Sequence, residues 1–325
     1  MEENFDDFPS LKESLVSIEN LKKYNWPIYD ETKYESIEKF TEEIFSKVFQ
    51  EFKILPNIVL PTKCKDFKFG LFRVRELSTF TDINIFSEHS YPPIGITKMG
   101  RCNFPKKPIF YCSNNPGTSL FEVVRESDFK NKQYCISRWQ VNPSDDYLFF
   151  ENYLQTELDE ENNFKIFRDI LREKLNETFK GKLSDDKMSG LINFLEFLDN
   201  SFINDESYAI SASIAYRSFF PKHNMGTDIL MYPSRQSLRK SVNFAISPNF
   251  VNNNLSINRF YIVSINDIKK DKSSFNISFL KYGDVDNRKI MWKNITEKDS
   301  VFEEHIKQDF GESFYKNVLR QSKLV

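Results

Sequence analysis

The sequence predicts an α+β protein: a mixed or antiparallel sheet with a helical insertion and helical ends. Three observations predict it. Apolar residues recur at helical spacing over 34–54, and from about residue 68 short apolar runs bounded by turn residues replace them. A second block of helical spacing, over 151–206, then separates two strand-rich regions. The chain thereby divides into a helical N-terminal extension (1–65), a main domain (66–265) carrying the helical insertion (151–207), and a C-terminal hairpin and helix (266–325).

Taken in order, Ile37, Phe40, Ile44, Phe45, Val48, Phe49 and Phe52 line one face of an amphipathic helix, and the extension ends near LPNIVLPT. FKFGLFRVRE and PIFYCS then predict strands, and TSLFEVVRE predicts a short helix after a Pro-Gly turn. QYCISRWQV is a further strand, closing at Asn142-Pro143. In the insertion, Phe164, Phe167, Ile170, Leu171, Leu175 and Phe179 recur every three to four residues, as do Leu191, Leu195, Leu198 and Phe202. ISASIAYRSFF, DILMYPS and SVNFAISP open the second strand-rich region, followed by RFYIVSINDI. FNISFLKYG and RKIMWKNI pair around a turn at DVDN, and a helix over roughly 300–321 ends the chain.

Composition narrows the functions. Hydrophobic residues make up 40% and aromatic residues 15% of the 325, enough for a sizeable packed core. The net charge of −2 comes from well-mixed acidic and basic residues, so nucleic acid is not an expected partner. No apolar run has the length of a membrane-spanning helix, and the acidic start, MEENFDDFPS, lacks the layout of a secretion signal. Cys64, Cys102, Cys112 and Cys135 form no CxxC pair and the histidines number three (89, 223 and 305), so no metal is expected and a cytoplasmic protein with reduced thiols is. Absent too are the phosphate loop GxxxxGK[ST], the dinucleotide turn GxGxxG, the nucleophile elbow GxSxG and the metal helix HExxH.

What remains is concentrated in GRCNFPKKPIFYCSNNPGTSLFEVVRE, residues 100–126. Singly, its polar residues have structural explanations. Ser119-x-x-Glu122 matches a capping box, Tyr111 ends an apolar strand, and Arg101 follows a turn glycine. Arg73 and Arg75 suit the outward face of an edge strand, and Ser234 suits a turn after Tyr232-Pro233.

Together, LFRVR, the 100–126 stretch and DILMYPSRQSLRKSVNFAI resemble the RES domain family, named for an arginine, a glutamate and a serine. Arg101, Glu122 and Ser234 match those three, Tyr111 the family's tyrosine, and Arg73 an arginine on its first strand. Asn103 and Asn243 match further positions where the family favours asparagine. The resemblance covers about 68–145 and 208–265; the insertion and both ends exceed the family pattern.

The resemblance implies an ADP-ribosyltransferase-like fold and NAD as substrate, with no metal. It implies cleavage of the nicotinamide–ribose bond by hydrolysis or phosphorolysis, or transfer of ADP-ribose to a protein or nucleic acid. It also implies a toxin or defence effector held by a helical antitoxin or immunity protein; a homodimer is a further assembly to consider. Glu122 would stabilise the ribosyl cation, with Arg101 and Tyr111 as catalytic neighbours. Arg73 and Arg101 would hold the pyrophosphate, while Asn103, Tyr111, Ser234 and Asn243 complete the NAD-binding set. A non-catalytic reading competes: a binding module whose insertion and ends form an interface, with the basic run RQSLRK (235–240) attracting phosphate or nucleic acid.

Overall fold

Ser10 begins the first helix, α1 (Leu11–Lys23), through a reciprocal capping box with Glu13. The computed structural model describes residues 5–55, 59–124, 129–222, 226–269, 275–296 and 299–316. After α1 come α2 (Ile37–Glu51), β1 (Val59–Lys63), β2 (Leu71–Glu76), β3 (Phe110–Ser113) and α3 (Pro116–Val123). There follow β4 (Gln133–Val141), β5 (Tyr147–Asn152), α4 (Lys165–Phe179), α5 (Asp185–Asn204) and α6 (Ala209–Phe219). The chain continues through β6 (Ile229–Pro233), β7 (Val242–Ile246), α7 (Pro248–Asn254), β8 (Leu255–Ile268), β9 (Phe275–Asp286), β10 (Lys289–Asn294) and α8 (Ser300–Phe310).

These strands form one ten-stranded mixed sheet in the order β1-β5-β6-β7-β3-β2-β4-β8-β9-β10. Only β5 and β6 run parallel; the other neighbours are antiparallel. Alternation along β6 and β7 splits the core between the two faces. Leu230, Tyr232 and Ala245 face a cluster with α2, α5 and α6, while Ile229, Met231, Phe244 and Ile246 face a second cluster with Phe150 and Phe164. A third cluster places Phe72, Val74 and Leu120 with residues of β8, β9 and α8. The turn between β9 and β10 has positive φ at both Asn287 and Arg288, the geometry of a tight hairpin.

Several sequence expectations are corrected. YLFFEN is strand β5, so the insertion's first two residues, 151 and 152, belong to the sheet. ISASIAYRSFF is mostly helix α6, whose small residues Ser211, Ala212, Ser213 and Ala215 let it bury nearly every side. That all-round burial erases the amphipathic stripe by which a helix is recognised. Strand β2 lies between β3 and β4, so Arg73 and Arg75 are on an interior strand, not an edge. The N-terminal extension packs α1 against α5 and α2 against α6, which makes the insertion a further helical layer on the extension. The end of the predicted final helix (317–321), His223, and Arg125 and Glu126 lie outside the described residues.

Candidate active site

The turn Gly100-Arg101-Cys102-Asn103 closes on itself, the backbone N–H of Gly100 donating to Asn103 O at 3.0 Å and that of Asn103 to Gly100 O at 3.3 Å. A side chain at Gly100 would meet Asn103 Oδ1 at 2.5 Å and the Tyr111 hydroxyl at 3.1 Å, so only glycine fits. The reason for the close approach is Tyr111. Its hydroxyl donates to Asn103 Oδ1 and accepts from the Cys102 N–H, both at 2.8 Å. Burial pushes this phenol well above its ordinary pKa, so it keeps the proton it donates. Asn103 Nδ2 in turn donates to Lys98 O and Phe104 O at 2.8 and 2.9 Å. Asn103 is therefore committed to holding the turn, and it is not among the residues that line the cavity described below.

Glu122 does not close a capping box. Asn115 caps α3, accepting from the Gly117 and Thr118 amides, with Pro116 at the first helical position. Ser119 thus falls inside the helix, where its Oγ donates to Phe72 O, and Glu122 reaches the last turn. There Glu122 Oε1 accepts two hydrogen bonds at 2.7 Å, from Ser234 Oγ and Asn243 Nδ2. The register between β3 and β7 sets Ser113 opposite Asn243, and Ser113 Oγ donates to Asn243 Oδ1 at 2.5 Å. That contact turns the amide so that its Nδ2 faces the carboxylate. Ser234 and Asn243 are both buried, while Glu122 is exposed and its Oε2 has no hydrogen-bond partner among the described residues.

Beside this carboxylate is a cavity of about 760 Å³, whose walls include Arg101, Tyr111, Glu122, Tyr208, Tyr232 and Asn243. The Arg101 guanidinium lies 5.1 Å from the centre of the Tyr208 ring, its Nη1 is buried without a hydrogen-bond partner, and no carboxylate of the described residues pairs with it. Ser234 supports Glu122 from behind and is not on the wall. Arg73 borders the cavity, but alternation along β2 turns its side chain away from the face of Phe72 and Val74. Its guanidinium covers the Phe110 ring at 5.3 Å, and Nη1 donates to Tyr111 O at 2.9 Å. Burial and the neighbouring Arg75 push its pKa down to about 10. Arg73 thus braces the strand that carries Tyr111.

The run 235–240 is engaged within the fold. Arg239 Nη1 donates to Glu157 O at 3.1 Å, Lys240 pairs with Glu161 at 2.9 Å, and Asn162 Nδ2 donates to Arg239 O at 2.8 Å. The start of the insertion therefore grips the loop that follows Ser234, which takes left-handed backbone at Leu238 and Arg239. None of residues 151–207 lines the cavity.

A larger hollow of about 930 Å³ lies between α2 and α6, with mainly apolar walls, and brings together none of the candidate residues. Among the described residues no group of three His, Cys, Asp or Glu side chains is arranged to hold a metal ion, and no helix is long and apolar enough to cross a membrane.

Sequence reasoning missed Ser113, Tyr208 and Tyr232. The strand alternation Tyr111-x-Ser113 was a readable signal for the first; Tyr208 had none, because its position depends on a left-handed residue at the head of α6. No model of a known protein family matches the chain, and no curated protein matches it.

Proposed function

We propose that the protein consumes NAD, cleaving the nicotinamide–ribose bond by hydrolysis or phosphorolysis on a core of the ADP-ribosyltransferase kind. The observation that carries this reading is the state of Glu122. One carboxylate oxygen is held by two neutral donors and the other has no hydrogen-bond partner among the described residues, beside a cavity of about 760 Å³. Neutral donors orient a carboxylate without cancelling its charge, which suits it to a cation that develops during reaction. A volume of this size lies within the range of small-molecule sites.

In the step itself the C1′–N bond breaks and its electron pair goes to the nicotinamide ring nitrogen, which leaves neutral. No general acid is needed for that departure. The ribose becomes an oxocarbenium ion, stabilised by Glu122, and is captured by water or phosphate, whose proton goes to solvent. Arg101, with a buried unpartnered nitrogen on the same wall, supplies the cation for the pyrophosphate. Tyr111, its hydroxyl already committed, offers its ring.

The test is NAD consumption and nicotinamide release by the purified protein, with and without phosphate, beside Glu122→Gln. The glutamine keeps an acceptor for Ser234 and Asn243 but loses the charge, so turnover should fall about a hundredfold or more with the melting temperature unchanged. Equal turnover by the two proteins would refute the role of Glu122. Label from NAD appearing on a macromolecule would make the reaction a transfer.

A further inference from the structure

We infer that Tyr208 is a substrate-positioning residue of this cavity: its ring carries the Arg101 guanidinium and fixes the plane in which Arg101 meets a pyrophosphate-bearing ligand. The inference rests on the dinucleotide reading above and assigns a residue that comes from the junction of the insertion with α6.

Tyr208 takes φ 57° and ψ 14°, a left-handed conformation uncommon for a tyrosine, at the N-cap of α6. The turn before it is built to hold that conformation. Asp205 Oδ1 accepts from the Ser207 N–H at 2.9 Å and from the Ser207 hydroxyl at 2.5 Å, and Asp205 Oδ2 accepts from the Ile210 N–H at 3.4 Å. Ser207 Oγ accepts from the Ala209 N–H at 3.1 Å, and Tyr208 O accepts the Ala212 amide at 2.9 Å. Every one of these bonds is made by residues around Tyr208 or by its backbone carbonyl; the ring is left for the cavity.

Across from it stands Arg101, 5.1 Å from the ring centre, with Nη1 buried and unpartnered. A guanidinium over an aromatic ring is attracted to its face, which leaves the donor edge free to meet phosphate oxygens in bidentate fashion. Without the ring, Arg101 keeps its charge and loses its fixed plane. The consequence is weaker ligand capture with the chemical step at Glu122 little changed, because the hydrogen bonds that hold Glu122 come from Ser234 and Asn243 and not from Tyr208.

The experiment uses the whole chain and two readouts: calorimetric binding of inorganic pyrophosphate, and kcat and KM for NAD. Tyr208→Asn removes the ring while keeping a residue that tolerates left-handed backbone, and Tyr208→Phe keeps the ring. Tyr208→Asn should weaken pyrophosphate binding and raise KM by about 3- to 30-fold, with kcat within about threefold. Tyr208→Phe should match the wild type. Arg101→Lys, which keeps charge without the plane, should weaken binding similarly, and adding Tyr208→Asn to it should weaken binding little further. Unchanged pyrophosphate binding in Tyr208→Asn, equal damage in Tyr208→Phe, additive losses in the double variant, or no pyrophosphate binding by the wild type would each overturn the inference. Tyr208-dependent pyrophosphate binding without NAD turnover would support it and overturn the NAD-consuming reading.

Discussion

Replacing Asn243 by aspartate tests the carboxylate's support with almost no change in shape. Asn243 Nδ2 donates to Glu122 Oε1 at 2.7 Å, so the substitution sets an oxygen where that donor stood. Two full charges at this distance repel by about 1.5 kcal/mol in a water-like medium and about 6 kcal/mol at an effective dielectric of about 20. One pKa of the pair therefore rises from the ordinary carboxylate value near 4 into the range of about 5 to 8.5. Below that value the pair shares a proton, which replaces the amide donor; above it, two anions face each other and Glu122 is driven from its position. The variant should thus approach wild-type NAD consumption at low pH and lose at least about tenfold as pH rises through the new pKa, a change equivalent to 1.4 kcal/mol. The assay is kcat/KM for NAD between pH 5 and 9, with circular dichroism to exclude unfolding. A variant whose profile runs parallel to that of the wild type would refute the claim that Asn243 positions the carboxylate.

Tyr111→Phe, which a stacking role alone would tolerate, should destabilise the protein by about 2–3 kcal/mol, because it strands the Cys102 N–H and removes the donor to Asn103 Oδ1; thermal melting checks it. His89 is buried, its Nε2 donating to Ile83 O at 2.8 Å, and desolvation pushes its pKa down to about 4. It is neutral in folded and unfolded chains above about pH 6.5. As pH falls from there towards 4 the unfolded chain gains a proton that the folded one does not, at a cost approaching about 3 kcal/mol. Urea midpoints at pH 7.5 and pH 5 should therefore diverge in the wild type by more than in His89→Gln. Gly190→Ala would push a methyl to 2.2 Å from Pro9 O, so it should destabilise by about 1–2 kcal/mol despite alanine's better helix propensity; a raised melting temperature would disprove the close seating of the N-terminal segment on α5.

How legible all this was in the sequence differs from residue to residue. Strands such as β3, β4 and β7 were readable because short β-branched and aromatic runs end at turn residues. Helix α1 was not, since Leu11, Leu15 and Val16 remain exposed and blur its apolar stripe. Strand β5 was hidden by its place beside a block of helical spacing. The convergence of Glu122, Ser234 and Asn243 was legible only as a resemblance, for their meeting depends on strand order, which local periodicity does not encode. The capping motif at Ser119 misled for a plain reason: Asn115 followed by Pro116 is a stronger helix start four residues earlier. Arg73 was legible as a residue of interest but not in orientation, because the face an interior strand shows to a cavity is set by register.

One consequence of the strand order concerns synthesis. The carboxylate arrives with residue 122, but its two donors lie at 234 and 243, on or beside strands inserted next to β3 at the centre of the sheet. A nascent chain that stops after Glu122 but before Ile229 has the acid and neither of its two donors, and lacks strands β6 and β7 as well. Ribosomal stalling or premature termination in that interval therefore leaves the carboxylate without the two donors that hold it. The last third of translation is thus what completes the surroundings of the carboxylate.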